Sequence, residues 1–149
     1  MEFRILEPHD VAHMHSLLSL FGRAFGEHDA DESSQPNSGY LYKLLDSPGF
    51  IAIVALRSDR VVGGLTAYVL PKYLEGHSEI YLYDLAVDEP FRRKGVATGL
   101  IEELCSLAID RGAKVIYVQA HRSDAPAIAL YSNYGAGEDV LHFEIRPRG

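Results

Sequence analysis

A strand, a long amphipathic helix and a second strand follow one another between residues 78 and 119, and this order constrains the fold most. Residues 78–87 are rich in Tyr and Ile, which favour strands. Residues 95–111 repeat apolar side chains at helical spacing, and Gly112 is placed to end that helix. Residues 114–119 form the second predicted strand. Because such a crossover joins parallel strands, the sequence predicts a sheet with a parallel pair.

The remaining chain alternates between helix and strand patterns. The further predicted elements are strands at 3–6, 50–56, 61–70 and 139–145 and helices at 8–25, 40–45 and 125–134. The resulting order, β-α-α-β-β-β-α-β-α-β, predicts an α/β fold with a mixed sheet and helices packed on it. With 149 residues, the chain has the length of one domain, so a single domain over residues 1–149 is expected.

Composition excludes several classes of function. The 14 basic and 21 acidic residues give a net charge of −7, which argues against nucleic acid and suits a cationic small molecule. One cysteine, Cys105, excludes a disulfide framework and a Cys-based zinc finger. No apolar run approaches the roughly 20 residues that span a bilayer, so no membrane partner is expected. Residues 1–4 do not resemble a signal peptide, and a cytoplasmic protein is expected.

A small basic turn stands directly before the long helix and is typical of an anion site. Its residues are Arg92, Arg93, Lys94, Gly95, Val96, Ala97, Thr98 and Gly99. A helix N-terminus exposes unpaired N–H groups, and Gly95 allows a ligand to approach the backbone. The three cations add charge, so the turn suits a pyrophosphate. The alternative is a solvated basic turn with no ligand.

This turn also resembles a family motif. Arg92-x-x-Gly95-x-Ala97, preceded by Leu85-Ala86-Val87, is similar to the motif with which GNAT-superfamily N-acetyltransferases bind the pyrophosphate of acetyl-CoA. The resemblance implies that residues 92–98 hold the pyrophosphate and that the backbone of residues 85–87 pairs with the pantetheine arm. It also implies an opening for acetyl-CoA where a mostly antiparallel sheet splays between two central parallel strands. A second motif, over residues 124–131, implies that Asp124 and Ala127 contact the cofactor, with Asp124 replacing the family's Asn.

Segments outside the cofactor motifs carry a closer resemblance, to the type I aminoglycoside 3-N-acetyltransferases. The segments are residues 20–27, 34–36, 67–72, 78–87 and 115–120. This resemblance implies acetyl transfer to the 3-amino group of the deoxystreptamine ring of drugs such as gentamicin, and hence antibiotic resistance. It is compatible with a homodimer.

The implied reaction is direct attack of an amine on a thioester in a ternary complex. Cys105 lies in mid-helix near the apolar face, which favours a core position over an acetyl-carrying nucleophile. Tyr131 matches the family's thiol-facing tyrosine and is the candidate general acid; the alternative is a half-buried helix tyrosine. Backbone N–H groups of residues 85–87 are the candidates for polarising the thioester carbonyl.

Asp84 is the leading acceptor-side residue because it is a charged residue in an otherwise apolar and aromatic strand. Since an Asp carboxyl has a pKa of about 3.9 and an amine about 8 to 10, we expect it to orient the amine and take its proton in concert or through water. A structural salt bridge is the alternative. Tyr83, Glu79, His142 and Glu144 are further substrate-binding candidates, and Glu79 shares the face of Asp84 only if a bulge intervenes.

Two other interpretations remain open. The acceptor could be a polyamine, an amino-sugar or a protein N-terminus, or the chain could be a CoA-binding sensor without turnover. The acidic residues 27–32 could steer a polycation or simply be solvated. Seven histidines invite a metal interpretation, but His9 and His13 lack the Glu that a zinc hydrolase motif places after its first His, and no metal is expected.

Overall fold

The computed structural model describes residues 1–26, 34–74 and 76–148. The chain forms two compact units, Met1–Gln119 and a second unit that begins at Ala120. The acidic stretch at residues 27–32 lies outside the described residues, so its predicted role stays a prediction. The single domain expected over residues 1–149 also stays a prediction.

The elements follow the predicted order through residue 132. The strands are β1 (Glu2–Ile5), β2 (Phe50–Arg57), β3 (Arg60–Pro71), β4 (Ser78–Val87) and β5 (Ala113–Tyr117). The helices are α1 (Val11–Ala24), α2 (Ser38–Asp46), α3 (Val96–Asp110) and, in the second unit, α4 (Ala125–Ser132). A short 3₁₀ turn at Pro8–Asp10 precedes α1, and another at Glu89–Phe91 precedes the basic turn. No described helix is long and apolar enough to cross a membrane.

The five strands form one mixed sheet in the order β1-β2-β3-β4-β5. The first three pairings are antiparallel, and β4 pairs with β5 in parallel across the α3 crossover. Pairing between β4 and β5 ends at Tyr81 and Tyr117, although β4 continues to Val87. The two parallel strands therefore part after Tyr81, and the predicted α/β fold with a splayed, mostly antiparallel sheet is confirmed.

Helices cover both faces of the sheet in the first unit. Consecutive glycines of β3 show this, since a Cβ on Gly63 would meet Val96 of α3 and a Cβ on Gly64 would meet Leu17 of α1. Successive strand residues point to opposite faces, so α1 and α3 lie on opposite sides of β3. The core on the α1 side includes Met14, Leu17, Leu20, Leu41, Ala52 and Val54.

Gly64 provides the close approach of α1 to β3, and we expect Gly64→Ala to destabilise the fold. A Cβ there would stand 2.3 Å from the Leu17 side chain and 2.9 Å from the Ile53 carbonyl oxygen. Because the carbonyl belongs to the neighbouring strand, the overpacking should lower the free energy of unfolding by about 1–3 kcal/mol. Urea denaturation should show a lower midpoint with an unchanged m-value. Gly49→Ala is the matched control, because its Cβ would meet its nearest atom at an ordinary 3.8 Å; an equal loss in both variants would contradict the argument.

The strand predicted for residues 139–145 is wrong. Residues 136–148 form no helix or strand, and Val140, Leu141, Phe143 and Ile145 are all more than 60% exposed. An alternating pattern becomes a strand only when a second strand pairs with its backbone N–H and C=O groups. In the described part of the second unit, α4 is the sole regular element, so this segment has no strand to pair with there. Within the first unit, β5 is the edge strand of the described sheet.

Candidate functional site

A β-bulge in β4 decides which side chains face the same side of the sheet. Thr66 pairs with Asp84 and Ala67 pairs with Leu82, so Tyr83 is an extra residue without a partner on β3. This extra residue shifts the alternation by one position. Glu79, opposite Leu70, therefore lies on the same face of the sheet as Asp84. From the sequence alone, this is expected only if a bulge separates the two residues.

Asp84 lies half-buried beside hydroxyl groups on this face. Its partner Thr66 is buried, and both residues line a pocket of about 240 Å³ together with Tyr68 and Tyr83. Burial raises the pKa of Tyr68, and Tyr83, Tyr40 and the Asp84 carboxylate raise it further. The Tyr68 phenol is therefore neutral near pH 7 and can act as a hydrogen-bond donor beside the carboxylate.

Aromatic rings continue from this pocket to the point where β4 and β5 part. Tyr83 packs edge-on against Tyr68 at 5.6 Å and against Tyr81 at 5.7 Å between ring centroids. Tyr81 stacks on Tyr117 of β5 at 5.0 Å, and its hydroxyl donates to Oε1 of Gln119 at 2.9 Å. Burial raises the pKa of Tyr81 as well, followed by the effects of Tyr83, Tyr117 and Asp84. The face beside Asp84 is thus aromatic and includes the neutral hydroxyl groups of Tyr68 and Tyr81.

Glu79 has a cation beside it. Nζ of Lys72 lies 3.1 Å from Oε1 of Glu79, whose side chain is 24% exposed. This cation offsets the negative charge that Glu79 would offer to a substrate amine. Asp84, but not Glu79, is among the described residues that line the pocket, and it is therefore the stronger acceptor-side candidate of the two acids on this face.

The predicted anion site lies at the start of α3. Gly95 is the N-cap with a φ of +82°, in the left-handed region that favours glycine. Asn37 caps α2 and Asp124 caps α4 through their side chains, whereas glycine has no side chain to accept from the N–H groups of the first turn. Apart from its neighbours along the chain, no described residue has an atom within 4 Å of the position that a Gly95 Cβ would take. The first-turn N–H groups of Val96, Ala97 and Thr98 therefore remain suited to an anion.

Basic side chains surround this helix start. Nε of Arg92 donates to the Val87 carbonyl at 2.8 Å, which ties the turn to the end of β4. The cationic groups of Lys94 and Arg57 lie 5.9 and 6.0 Å from the centre of the Phe91 ring. Arg57 belongs to β2 and was not among the predicted site residues. It adds a fourth cation to the three expected at residues 92–94.

The predicted thioester-side strand segment, residues 85–87, pairs with β3 through Leu65, Gly64 and Gly63. Its other edge extends past the last β4–β5 pair at Tyr81. Strand edges present N–H and C=O groups outward, so this edge is suited to an extended ligand.

The second unit carries the remaining predicted site residues. Asp124 is the N-cap of α4, and its Oδ1 accepts from the Ala127 N–H at 3.2 Å. Tyr131 lies half-buried on the same helix. His142 and Glu144 are exposed, with 3.9 Å between Nε2 and Oε1. The first role of the Asp124 carboxylate is thus to cap a helix, and its contact with a cofactor stays a prediction.

One group of described side chains has the spacing of a metal site. Glu7, His9 and Asp10 each bring a ligand atom within 4.8 Å of the others. Asp10 is buried and is already engaged, since it accepts from the Glu7 N–H at 2.9 Å and lies 3.6 Å from an Arg4 nitrogen. Through these contacts, the buried Asp10 carboxylate stabilises the backbone at the start of α1 and holds a cation beside it.

Comparison with known proteins identifies the fold. The model of the acetyltransferase (GNAT) family matches residues 14–136. The chain belongs to the GNAT acetyltransferase family. The match spans β2 to α4, and so it includes the bulged strand and the basic turn. The family uses acetyl-CoA as co-substrate.

Two solved structures closely resemble this GNAT chain. An aminoglycoside acetyltransferase from an uncultured soil metagenomic sample is 47% identical, with a TM-score of 0.95 over 99% of this chain and 98% of the other. A second such acetyltransferase, in complex with sisomicin, is 32% identical, with a TM-score of 0.91 over 99% and 96% of the two chains.

A curated GNAT relative has a different substrate in its name. The N-alpha-acetyltransferase of Saccharolobus solfataricus is 36% identical over 103 residues, which are 62% of this chain and 59% of the relative. The alignment thus spans little more than half of the relative's length.

Proposed function

We propose that this chain transfers the acetyl group of acetyl-CoA to an amino group of an aminoglycoside, and that the 3-amino group of the deoxystreptamine ring is its target. The observation that carries the proposal is the 47% identity and TM-score of 0.95, over nearly the whole of both chains, with an aminoglycoside acetyltransferase. The acceptor face around Asp84 lies within that match. In a cell exposed to such drugs, the reaction would give resistance.

The residues present fit acetyl-CoA. The uncapped start of α3 and the cations of Arg92, Arg93 and Lys94 suit the pyrophosphate, and Arg57 strengthens the positive field. The outer edge of residues 85–87 suits the amides of the pantetheine arm. When bound, acetyl-CoA supplies an activated acyl carbon. The backbone N–H groups at this edge are then the donors that polarise the carbonyl.

Asp84 binds the substrate amine and accepts its proton. Its carboxylate attracts the substrate ammonium and orients it, and the Thr66 and Tyr68 hydroxyls lie in the same pocket. The ammonium first loses one proton to the solvent, through Asp84 or water, which leaves a neutral amine. As the nitrogen of this amine forms its bond to the acyl carbon, the carbon–sulfur bond breaks. The second proton of the nitrogen passes to Asp84 in concert or through water.

Tyr131 completes the proton balance by donating a proton to the departing thiolate. We expect Tyr131→Phe to lower kcat about tenfold at pH 7, which is below the roughly 100- to 10,000-fold typical of a lost proton-transfer group, with little change in the affinity for acetyl-CoA. The loss should be modest and should shrink as the pH rises, because a thiolate with a conjugate pKa of about 8.5 then leaves without a proton. Stopped-assay kcat values from pH 6.5 to 9 measure this. An unchanged kcat at pH 6.5 would remove Tyr131 from this role.

A protein N-terminus is the second candidate acceptor. The resemblance to the N-alpha-acetyltransferase supports it, although that alignment covers less of both chains than the match to the aminoglycoside enzyme. The expected homodimer also stays a prediction, which sedimentation equilibrium would test.

Thiol release from acetyl-CoA tests the proposal directly. Purified protein is assayed with gentamicin, with spermidine, with an N-terminal tetrapeptide and with no acceptor. We expect rapid release with gentamicin and, by NMR, an acetyl group on the 3-amine of the product. Release with the peptide alone would indicate that the acceptor is a protein N-terminus and not an aminoglycoside. If no acceptor gives release but CoA protects the protein against thermal unfolding, the chain binds CoA without transferring an acetyl group.

A further inference from the structure

Two exposed residues that line the pocket beside Asp84 come from outside the sheet. Tyr68, Tyr83 and Asp84 belong to the paired strands β3 and β4, which fix their positions. Pro36 precedes α2, and Tyr40 lies in the first turn of α2 with 59% of its surface exposed. Most other lining side chains are buried in the core, so an acceptor can touch Pro36 and Tyr40. Contacts beyond the sheet must hold these two residues in place.

Gln35, the residue directly before Pro36, makes such contacts with α1. Its Nε2 donates to Oγ of Ser19 at 2.9 Å and to the His15 carbonyl at 3.3 Å. Its Oε1 lies 2.7 Å from Nδ1 of His15. His15 and Ser19 are four residues apart on a helix, so they lie on the same face of α1. The half-buried Gln35 amide therefore ties the segment before α2 to that face of α1.

The His15 carbonyl fixes the orientation of this amide. A carbonyl oxygen only accepts hydrogen bonds, so the NH₂ group of Gln35 faces it and Oε1 faces the His15 ring. Nδ1 of His15 therefore carries a proton and donates it to Oε1. Nε2 of the same ring lies 3.2 Å from Oγ of Ser38, the first residue of α2. The His15 ring thus connects α1 both to Gln35 and to the start of α2.

The backbone carries the effect of these contacts to Pro36 and Tyr40. Proline has a fixed φ and restricts the residue before it to extended conformations, so anchoring Gln35 limits where the Pro36 ring can lie. Asn37 comes next and caps α2, because its Oδ1 accepts from the Tyr40 N–H at 2.9 Å. The contacts of Gln35 and His15 therefore set the position of both exposed lining residues.

We propose that Gln35 and His15 are positioning residues for the acceptor. Neither is among the described residues that line the pocket, and both act through Pro36 and Tyr40, which do line it. By holding these two residues in place, they set the affinity for the acceptor without touching the reacting atoms. The inference rests on the proposed acetyl transfer.

Gln35→Ala should raise KM for gentamicin about tenfold and leave KM for acetyl-CoA within about twofold of the wild type. Asp84 keeps its place on β4, so kcat should change less than about threefold, the pattern of lost binding without lost chemistry. Thiol release from acetyl-CoA with the full-length protein measures all three constants. An unchanged KM for gentamicin would overturn the proposal.

Ser47→Ala is the matched control at the other end of α2. Oγ of Ser47 accepts from the Gly49 N–H at 3.3 Å, and Ser47 is not among the described lining residues. This variant should leave both KM values unchanged. Thermal unfolding of both variants is measured as well, because a hydrogen bond with only a structural role would lower stability without changing KM for the acceptor. An equal rise in KM in Ser47→Ala would overturn the proposal.

Substitutions of His15 test whether it acts together with Gln35. His15→Ala should also raise KM for gentamicin, and the double variant with Gln35→Ala should raise it by less than the product of the two single effects. His15→Asn returns an N–H donor near the position of Nδ1, so its KM should be at least about threefold below that of His15→Ala. Independent single effects, or no recovery in His15→Asn, would overturn the coupling between the two residues.

Amide hydrogen exchange separates this inference from the proposed function. The N–H groups of Tyr40 and Leu41 both bond to Asn37 at the start of α2. Gln35→Ala should speed their exchange about tenfold, whereas Ser47→Ala should not. Faster exchange without thiol release from any acceptor would refute the proposed function and support the anchoring of Pro36 and Tyr40. Unchanged exchange would overturn the inference, even if gentamicin is acetylated rapidly.

Discussion

Asp84→Asn is expected to lower kcat/KM for an amine acceptor by roughly 100- to 10,000-fold, the range typical of a lost proton-transfer group. The substitution keeps the size of the side chain and its position opposite Thr66, but removes the negative charge. Two effects then combine: the ammonium loses its attraction to the pocket, and the amine loses the group that takes its proton. Affinity for acetyl-CoA should stay within twofold of the wild type, because the basic turn is unchanged.

Glu79→Gln is the matched control for Asp84→Asn. Both acids belong to β4 and share a face because of the bulge at Tyr83, but Asp84 lines the pocket whereas Glu79 is not among its described lining residues. Nζ of Lys72 lies 3.1 Å from the Glu79 carboxylate. We expect Glu79→Gln to change kcat/KM less than fivefold. Steady-state kinetics with thermal unfolding of both variants is the measurement. A folded Asp84→Asn protein with full activity would assign Asp84 a structural role, and a larger loss in Glu79→Gln would make Glu79 the principal acceptor-side acid.

Local patterns in the sequence predict most of the fold. The strand at 78–87 has the same bounds in the structure, and the long helix starts one residue after Gly95. These features depend on periodicity and capping within one segment, which a sequence displays directly. The segment at 139–145 has equally good alternation, but a strand also needs a partner strand, which its own sequence does not specify.

The candidate site is harder to predict because its geometry comes from pairings distant in the chain. From the sequence alone, a bulge in β4 can be considered but not located. The pairing with β3 locates it, because Tyr83 has no partner between Ala67 and Thr66. Thr66 and Tyr68 join the pocket through the same register and were not predicted. Arg57 reaches Phe91 from β2, so only the tertiary fold places its charge near the basic turn.

Gly95→Ala is expected to weaken acetyl-CoA binding on the order of 10- to 100-fold. Gly95 has a φ of +82°, and an L side chain in the left-handed region costs about 1–2 kcal/mol. The turn can relieve this strain by rotating the peptide groups that aim the first N–H groups of α3. Hydrogen bonds to a charged group contribute about 1.5–3 kcal/mol each, so misaligning one of them accounts for the loss of affinity.

Gly112→Ala distinguishes loss of the anion site from loss of stability. Gly112 follows the other end of α3 with a φ of +70°, and for both glycines no described residue beyond their neighbours along the chain has an atom within 4 Å of an added Cβ. The two substitutions should therefore lower the free energy of unfolding by similar amounts, but only Gly95→Ala should raise the Kd for CoA. Calorimetry and urea denaturation of both variants measure the two quantities. Equal Kd values would mean that the start of α3 does not bind the pyrophosphate, because the strain alone would then have no effect on the ligand.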